Sequence, residues 1–153
     1  MARISEHHYE AYIQNAANNQ WKKKLSTKAL AKIFELSERH PYSINKLCSL
    51  VWLRQYPTEQ DVIDCWHSYA MESKPVIEKE LYRLTLNQRK LLAKFASDPL
   101  IKETYSESFS HELSMPISSI AKSINKLKES DYIYINEDGY YRIVDPIIRY
   151  LIA

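Results

Sequence analysis

The sequence predicts a mainly α-helical protein that ends in a single two-stranded β-hairpin. Most of its 153 residues place apolar side chains at spacings of three and four, the pattern of helices with one buried face. The only glycine, Gly139, lies between two short segments rich in β-branched and aromatic residues, which is typical of strands joined by a tight turn. Hydrophobic residues make up 45% of the chain, so a folded core is expected.

The first predicted helix starts after Ser5, a suitable N-cap, and ends before a basic cluster at residues 22–24. The cluster is either a solvated helix end or a positive patch for a partner. The apolar face of the helix consists of Tyr9, Tyr12, Ile13, Ala16 and Ala17.

Three more helices are predicted in the N-terminal half from the residues that begin them. Ser26 is expected to cap the second helix and Ser43 the third. Thr58 and Asp61 have the spacing of a capping box at the start of the fourth. Pro75 is expected to break or kink the fourth helix, with a further helical segment after it.

The C-terminal half begins with a second capping box, formed by Thr85 and Gln88. A short helix is expected over residues 106–113, and Pro116 sets the first turn of a strongly amphipathic helix. The apolar face of that helix consists of Ile117, Ile120, Ala121, Ile124 and Leu127.

The hairpin is predicted from strands at residues 132–136 and 140–144, with Gly139 taking the positive φ of the turn. Asp145 then caps a last helix. The C-terminal half thus contains three helices followed by a hairpin, and the amphipathic helix comes directly before the hairpin. This is the order of elements in a winged helix. We therefore expect domains at residues 1–84 and 85–153.

Composition excludes several functions. One glycine cannot supply a Walker A loop or a Rossmann turn, because both need glycines where the backbone approaches phosphate. No apolar run approaches the roughly 18 residues that a membrane span needs, so we expect no membrane partner. Two cysteines without a pairing or metal-binding pattern indicate a reducing, cytoplasmic location. Cys48 and Cys65 are far apart and are expected to be inert core thiols. No His or Cys spacing predicts a metal site.

Charge does not favour DNA as the partner of the winged helix. Residues 84–153 contain nine Lys and Arg and nine Asp and Glu, whereas phosphate-binding domains usually carry a basic excess. Protein contact or intramolecular docking is therefore preferred, and a solvated helix face is the plain alternative. If DNA is bound, the candidate side chains are Ser118, Ser119, Lys122 and Lys126 on the amphipathic helix and Arg142 on the wing.

Two parts of the chain together resemble a known family. Residues 35–52, with a His-Pro-Tyr motif followed by a Leu-Cys…Trp pattern, resemble the lid segment of prokaryotic AAA+/STAND-type P-loop ATPases. Residues 84–96, 117–127 and 140–146 are similar to the winged helix that those ATPases carry after the lid. The resemblance covers essentially the whole chain. It implies a helical lid-like bundle followed by a winged helix with a two-stranded β-hairpin wing.

The resemblance also implies where nucleotide would be contacted. ATP and Mg²⁺ would be held by an upstream nucleotide-binding core of a parent ATPase, and this chain would carry no cofactor and no catalytic residue. The matching lid residues are Arg39, His40, Pro41 and Tyr42, which would lie near the nucleotide base or phosphate. Arg39 stands where glycine is usual and is either a phosphate sensor or a sign of lost contact. The plain alternative is a helix-breaking turn with a partly exposed His40.

These observations favour a non-catalytic module that relays nucleotide state to an unidentified protein partner or to the core. A free-standing winged-helix DNA-binding regulator is the first alternative. A protein-interaction or dimer module that uses Trp21 and Trp52 is the second.

Overall fold

Eight helices and one two-stranded antiparallel sheet form residues 3–153, the part of the chain that the computed structural model describes. Helix accounts for 66% of the structure, and the predicted mainly α fold with a C-terminal hairpin is confirmed. No helix in the described part combines the length and apolarity needed to cross a membrane. The elements are α1 (Glu6–Trp21), α2 (Thr27–Ser37), α3 (Pro41–Val51), α4 (Glu59–Leu81), α5 (Leu86–Ser97), α6 (Glu107–Leu113), α7 (Ile117–Glu129), β1 (Ile133–Ile135), β2 (Tyr141–Ile143) and α8 (Pro146–Ile152).

The chain divides into two compact units, Met1–Ser73 and Lys74–Ala153. The division falls inside α4, and the predicted domain boundary near residue 84 remains a prediction. In the first unit, Ile13 and Ala17 of α1 are buried, but Tyr12 is exposed. The predicted apolar face of α1 is therefore only partly buried, with Tyr12 outside the core.

Side chains cap α2 and α3 in the first unit, whereas Ser5 stands at the N-cap position of α1 as predicted but its side chain makes no capping hydrogen bond. Ser26 accepts a hydrogen bond from the Ala29 amide, as predicted for α2. For α3 the cap is His40, and the prediction of Ser43 is wrong. Pro41 occupies the first helical position, where its fixed φ and missing N–H suit the backbone, so the cap moves to the preceding residue.

Two predictions about α4 have different outcomes. The Asp61 carboxylate accepts from the Thr58 amide at 2.8 Å, and the Thr58 hydroxyl accepts from the Asp61 amide at 3.2 Å, which confirms the capping pair. Pro75 was predicted to break or kink the helix: the break is wrong, because α4 continues through Pro75, and the kink stays a prediction. Local helix breaking is outweighed by tertiary packing, since Ala70 before the proline and Ile77 after it are both buried.

The second unit packs α5 against α7, α8 and the second strand of the hairpin. The Phe95 ring stacks on the Tyr141 ring at 4.9 Å and 6°, and Phe109 lies on Phe95 at 6.5 Å. The Tyr141 amide also donates to the Ile101 carbonyl at 3.0 Å, so the segment before α6 adds a strand-like contact to the hairpin. Thr104 is buried and hydrogen-bonded to the Tyr141 hydroxyl at 3.3 Å.

The hairpin has the predicted turn. β1 and β2 are antiparallel with Ile133 opposite Ile143. Gly139 has φ +85° and donates to the Asn136 carbonyl at 3.0 Å, which is a three-residue loop with a left-handed glycine. The strands are three residues long, shorter than predicted, because Asn136 already belongs to the turn and its side chain accepts from the Tyr140 amide.

Candidate functional site

The turn between α2 and α3 adopts an unusual backbone. Glu38 and Arg39 both have positive φ, 47° and 56°. The left-handed region costs a residue with a Cβ about 1 kcal/mol or more, whereas glycine enters it freely. Arg39 therefore occupies a backbone conformation that glycine would adopt more readily.

His40 serves the fold of this turn. Its side chain is 8% exposed, so the interpretation with a partly exposed His40 is wrong. Its Nδ1 accepts a hydrogen bond from the Ser43 amide at 3.4 Å, which satisfies a donor at the start of α3. The Ser43 hydroxyl also lies 3.4 Å from the same nitrogen. One ring nitrogen of His40 is thus engaged inside the protein.

The other residues of the motif differ in accessibility. Tyr42 is 64% exposed, whereas Arg39 and Pro41 are half-buried. Pro41 starts α3 and offers no N–H to a ligand. Of the four candidate nucleotide-contacting residues, Arg39 and Tyr42 are the two with polar groups that a ligand could reach from solvent. Their role in nucleotide binding stays a prediction.

A second candidate surface lies on the winged-helix unit, between the start of α5 and the outer side of α7. Three of the five predicted DNA-contacting residues, Ser119, Lys122 and Lys126, line one groove of about 680 Å³. Ser118 precedes Ser119 in α7 and is exposed, but it does not line the groove. Arg142 does not line the groove either and lies on β2 opposite Tyr134. The sequence did not indicate the opposite wall, which consists of Thr85, Asn87 and Gln88.

The opposite wall could have been inferred in part from the capping box. The Thr85 amide donates to the Gln88 side chain at 2.9 Å, and the Gln88 amide donates back to the Thr85 hydroxyl at 3.3 Å. This reciprocal pair fixes the first turn of α5. The position of this turn opposite α7 depends on tertiary packing, so the spacing of residues in the sequence does not predict it.

The electrostatics of the winged-helix unit are mixed. The tip of the wing carries two exposed acidic side chains, Glu137 and Asp138. On α7, Lys126 is 3.9 Å from Glu129. Several other cations contact carboxylates or rings: Lys94 with Glu112 and Asp98, Lys102 with Tyr140, Lys128 with Tyr141, and Arg89 with Tyr82.

Other chemistry is sparse in the described residues. Residues 3–153 contain no group of three or more His, Cys, Asp or Glu side chains placed to hold a metal ion. Cys65 is buried, and burial raises the pKa of the Cys48 thiol to about 12. A thiol with that pKa is almost entirely protonated at neutral pH and is a poor nucleophile.

Comparison with known proteins identifies the C-terminal unit. Searches of curated proteins and of solved structures gave no match. A family model described as "Probable winged helix domain" matches residues 76–153, half of the chain. The match covers α5 to α8 and both strands, and it agrees with the helix–hairpin order and the left-handed glycine in the wing. The chain therefore belongs to this winged-helix family.

Proposed function

We propose that the chain is the non-catalytic lid and winged-helix module of an AAA+/STAND-type ATPase. In this proposal the lid responds to the nucleotide held by an upstream core, and the winged helix passes the change to a protein surface. The observation that carries the proposal is the turn at Arg39, which has the backbone of a glycine where the resembled lids have glycine. The turn is followed by a winged helix in the same order as in those ATPases.

The charge distribution supports a protein surface as the target of the winged helix. Glu137 and Asp138 at the tip of the wing would be repelled by phosphates. Lys126 already faces Glu129, and Lys94 already faces Glu112. These pairs lower the positive charge available to a polyanion, whereas an acidic wing suits a basic patch on a protein.

The lid part of the proposal is tested on the parent ATPase. Arg39→Ala and Tyr42→Ala are expected to change ATP affinity by about tenfold while thermal stability changes little, because both side chains reach solvent. Lys79→Ala, at an exposed site on α4, is the control. The isolated chain is expected to hydrolyse no ATP. Tight, Mg²⁺-dependent ATP binding with hydrolysis by residues 1–153 alone would contradict the proposal.

The winged-helix part is tested by measuring binding to the isolated nucleotide-binding core of the parent protein. Glu137→Lys with Asp138→Lys reverses the charge of the tip and is expected to weaken a complex made through the wing. Glu103→Lys with Glu107→Lys changes the charge by the same amount at two other exposed sites and is the matched control. Equal effects of both changes would argue against the wing as the contact.

DNA binding is a second candidate function, favoured by the groove that joins Ser119, Lys122 and Lys126. Fluorescence anisotropy with mixed duplex DNA at low salt tests it. If the groove binds DNA, Lys122→Ala should weaken binding on every sequence and reduce its salt dependence, whereas Lys79→Ala should not. Absence of binding at low salt would remove this candidate.

A further inference from the structure

The N-terminal unit contains a cavity that neither the lid motif nor the winged helix explains. It has a volume of about 450 Å³, within the range of small-molecule sites. It lies between the end of α1, the segment that leads into α2, and the turn before α4. Residues distant in sequence thus meet at one site, and the basic cluster at residues 22–24 contributes to it.

Two aromatic side chains form its walls. Trp21 and Tyr56 both line the cavity, and the Tyr56 hydroxyl donates to the Trp21 carbonyl at 3.3 Å. Trp21 packs in turn on Trp52, with ring centroids 5.0 Å apart. The buried residues Leu25 and Pro57 provide an apolar lining. Aromatic side chains of this kind can stack on a flat ring.

The charge of the rim is strongly positive. Three exposed lysines, Lys23, Lys24 and Lys28, line the cavity, and Glu59 is its one acidic residue. The Glu59 carboxylate faces Lys32 at 3.7 Å. The salt bridges found among residues 3–153 include none of the three rim lysines, and the Lys23 ammonium lies 5.7 Å from the Tyr56 ring centroid.

The helix starts beside the cavity are not the binding groups. Ser26 caps α2 through the Ala29 amide, and Thr58 and Asp61 cap α4. A ligand anion would therefore be held by the lysine side chains. Lysine ammonium groups act as point charges that suit phosphate, whereas carboxylates are better matched by the planar fork of arginine, which this cavity lacks.

The geometry points to a free nucleoside phosphate as the ligand of this cavity, with the base against Trp21 and Tyr56 and the phosphates among the three lysines. Binding does not require Mg²⁺, because a single carboxylate cannot hold the ion. This site is separate from the turn at Arg39, and it stands whether or not the chain belongs to an ATPase.

The probe is ATP without Mg²⁺, titrated into the 153-residue chain by calorimetry and by tryptophan fluorescence. We expect saturable one-to-one binding that weakens as salt rises. Adenosine alone and tripolyphosphate alone should each bind at least about tenfold more weakly than ATP. Adenosine lacks the phosphates that contact the lysines, and tripolyphosphate lacks the base that contacts the aromatic side chains. Equal binding of tripolyphosphate and ATP would overturn the aromatic half of the proposal.

Substitutions locate the site. Lys24→Gln with Lys28→Gln should reduce ATP affinity by about tenfold, while Lys79→Gln with Lys90→Gln removes the same charge elsewhere and should not. Tyr56→Phe keeps the ring but removes the bond to Trp21, and a moderate loss of affinity is expected. Circular dichroism verifies that each variant is folded.

Several results would overturn the inference: no ATP binding at millimolar concentration, equal effects of the two lysine pairs, or tighter binding of single-stranded oligothymidylate than of ATP. The proposed ATPase role fails on a different result, Mg²⁺-dependent hydrolysis by this chain. The two failures are therefore distinguishable.

Discussion

The Tyr132 hydroxyl, at the start of the hairpin, donates a 2.8 Å hydrogen bond to Glu80 Oε1 near the end of α4. Burial raises the pKa of Tyr132 to about 12 from its ordinary 10.0, and the hydrogen bond to Glu80 adds to the effect. The folded state thus favours the neutral phenol, in a pair that joins the hairpin to the last turns of α4.

This pair predicts a loss of stability at alkaline pH. The raised pKa of Tyr132 adds to the free energy of unfolding, and this contribution is fully present below pH 10. It disappears as pH rises from 10 to about 12, because the phenol loses its proton at a lower pH in the unfolded chain than in the folded protein. The difference in unfolding free energy between the wild type and Tyr132→Phe should decrease across that interval. In Glu80→Gln the decrease should still begin near pH 10 but should be smaller and end at a lower pH, because burial still raises the pKa of Tyr132 while the hydrogen bond to Glu80 is lost. A pH-independent difference would contradict the assignment.

The left-handed backbone at Arg39 predicts that glycine stabilises the protein there. Arg39→Gly should raise the free energy of unfolding by up to about 1 kcal/mol, because it removes a Cβ clash at φ 56°. Arg39→Ala keeps the Cβ and is the control for the lost guanidinium. Urea denaturation measures the free energy of unfolding of both variants. A glycine variant less stable than the alanine variant would contradict the strain argument.

Gly139 provides the converse test in the wing. An added Cβ would meet no atom within 4 Å, so only the backbone at φ +85° opposes substitution. Gly139→Ala should lower stability by about 1–2 kcal/mol. Gly139→Asn should cost less, because asparagine tolerates the left-handed region. If the two variants were equally stable by chemical denaturation, conformational strain would not be the cause.

The aromatic stack predicts where the winged-helix unit is most sensitive to truncation. Phe95 is 2% exposed between Tyr141 and Phe109, and Phe95→Ala should cost about 3–5 kcal/mol. Leu86, on the same helix, is 61% exposed, and Leu86→Ala should change stability by less than about 0.5 kcal/mol. Thermal and urea unfolding of the two variants measures the contrast.

The sequence predicted the features that depend on local spacing. The capping box of Thr85 and Gln88, the Asp145 cap and the turn at Gly139 each involve residues at most a few positions apart, and all three are confirmed. The continuity of α4 at Pro75 was missed, because burial on either side outweighs the local cost of proline.

The sites were harder to predict than the elements. Lys122 and Lys126 follow from the amphipathic pattern of α7, but Asn87 enters the same groove from another helix. The cavity beside Trp21 likewise depends on Tyr56, which no periodicity connects to it. Side chains on one element can be assigned from periodicity, whereas those that meet across elements require the packed structure.

The stack of Phe95 on Tyr141 also has a consequence for synthesis of the protein. A hairpin of this size is marginal by itself, and two of the helices that contact it, α5 and α7, are translated before it. When α5 to α7 have left the ribosome but β2 has not, the helices expose the apolar surface that Tyr141 and Ile143 later cover. That interval, when the chain is still emerging from the ribosome, is when a chaperone would find its binding surface.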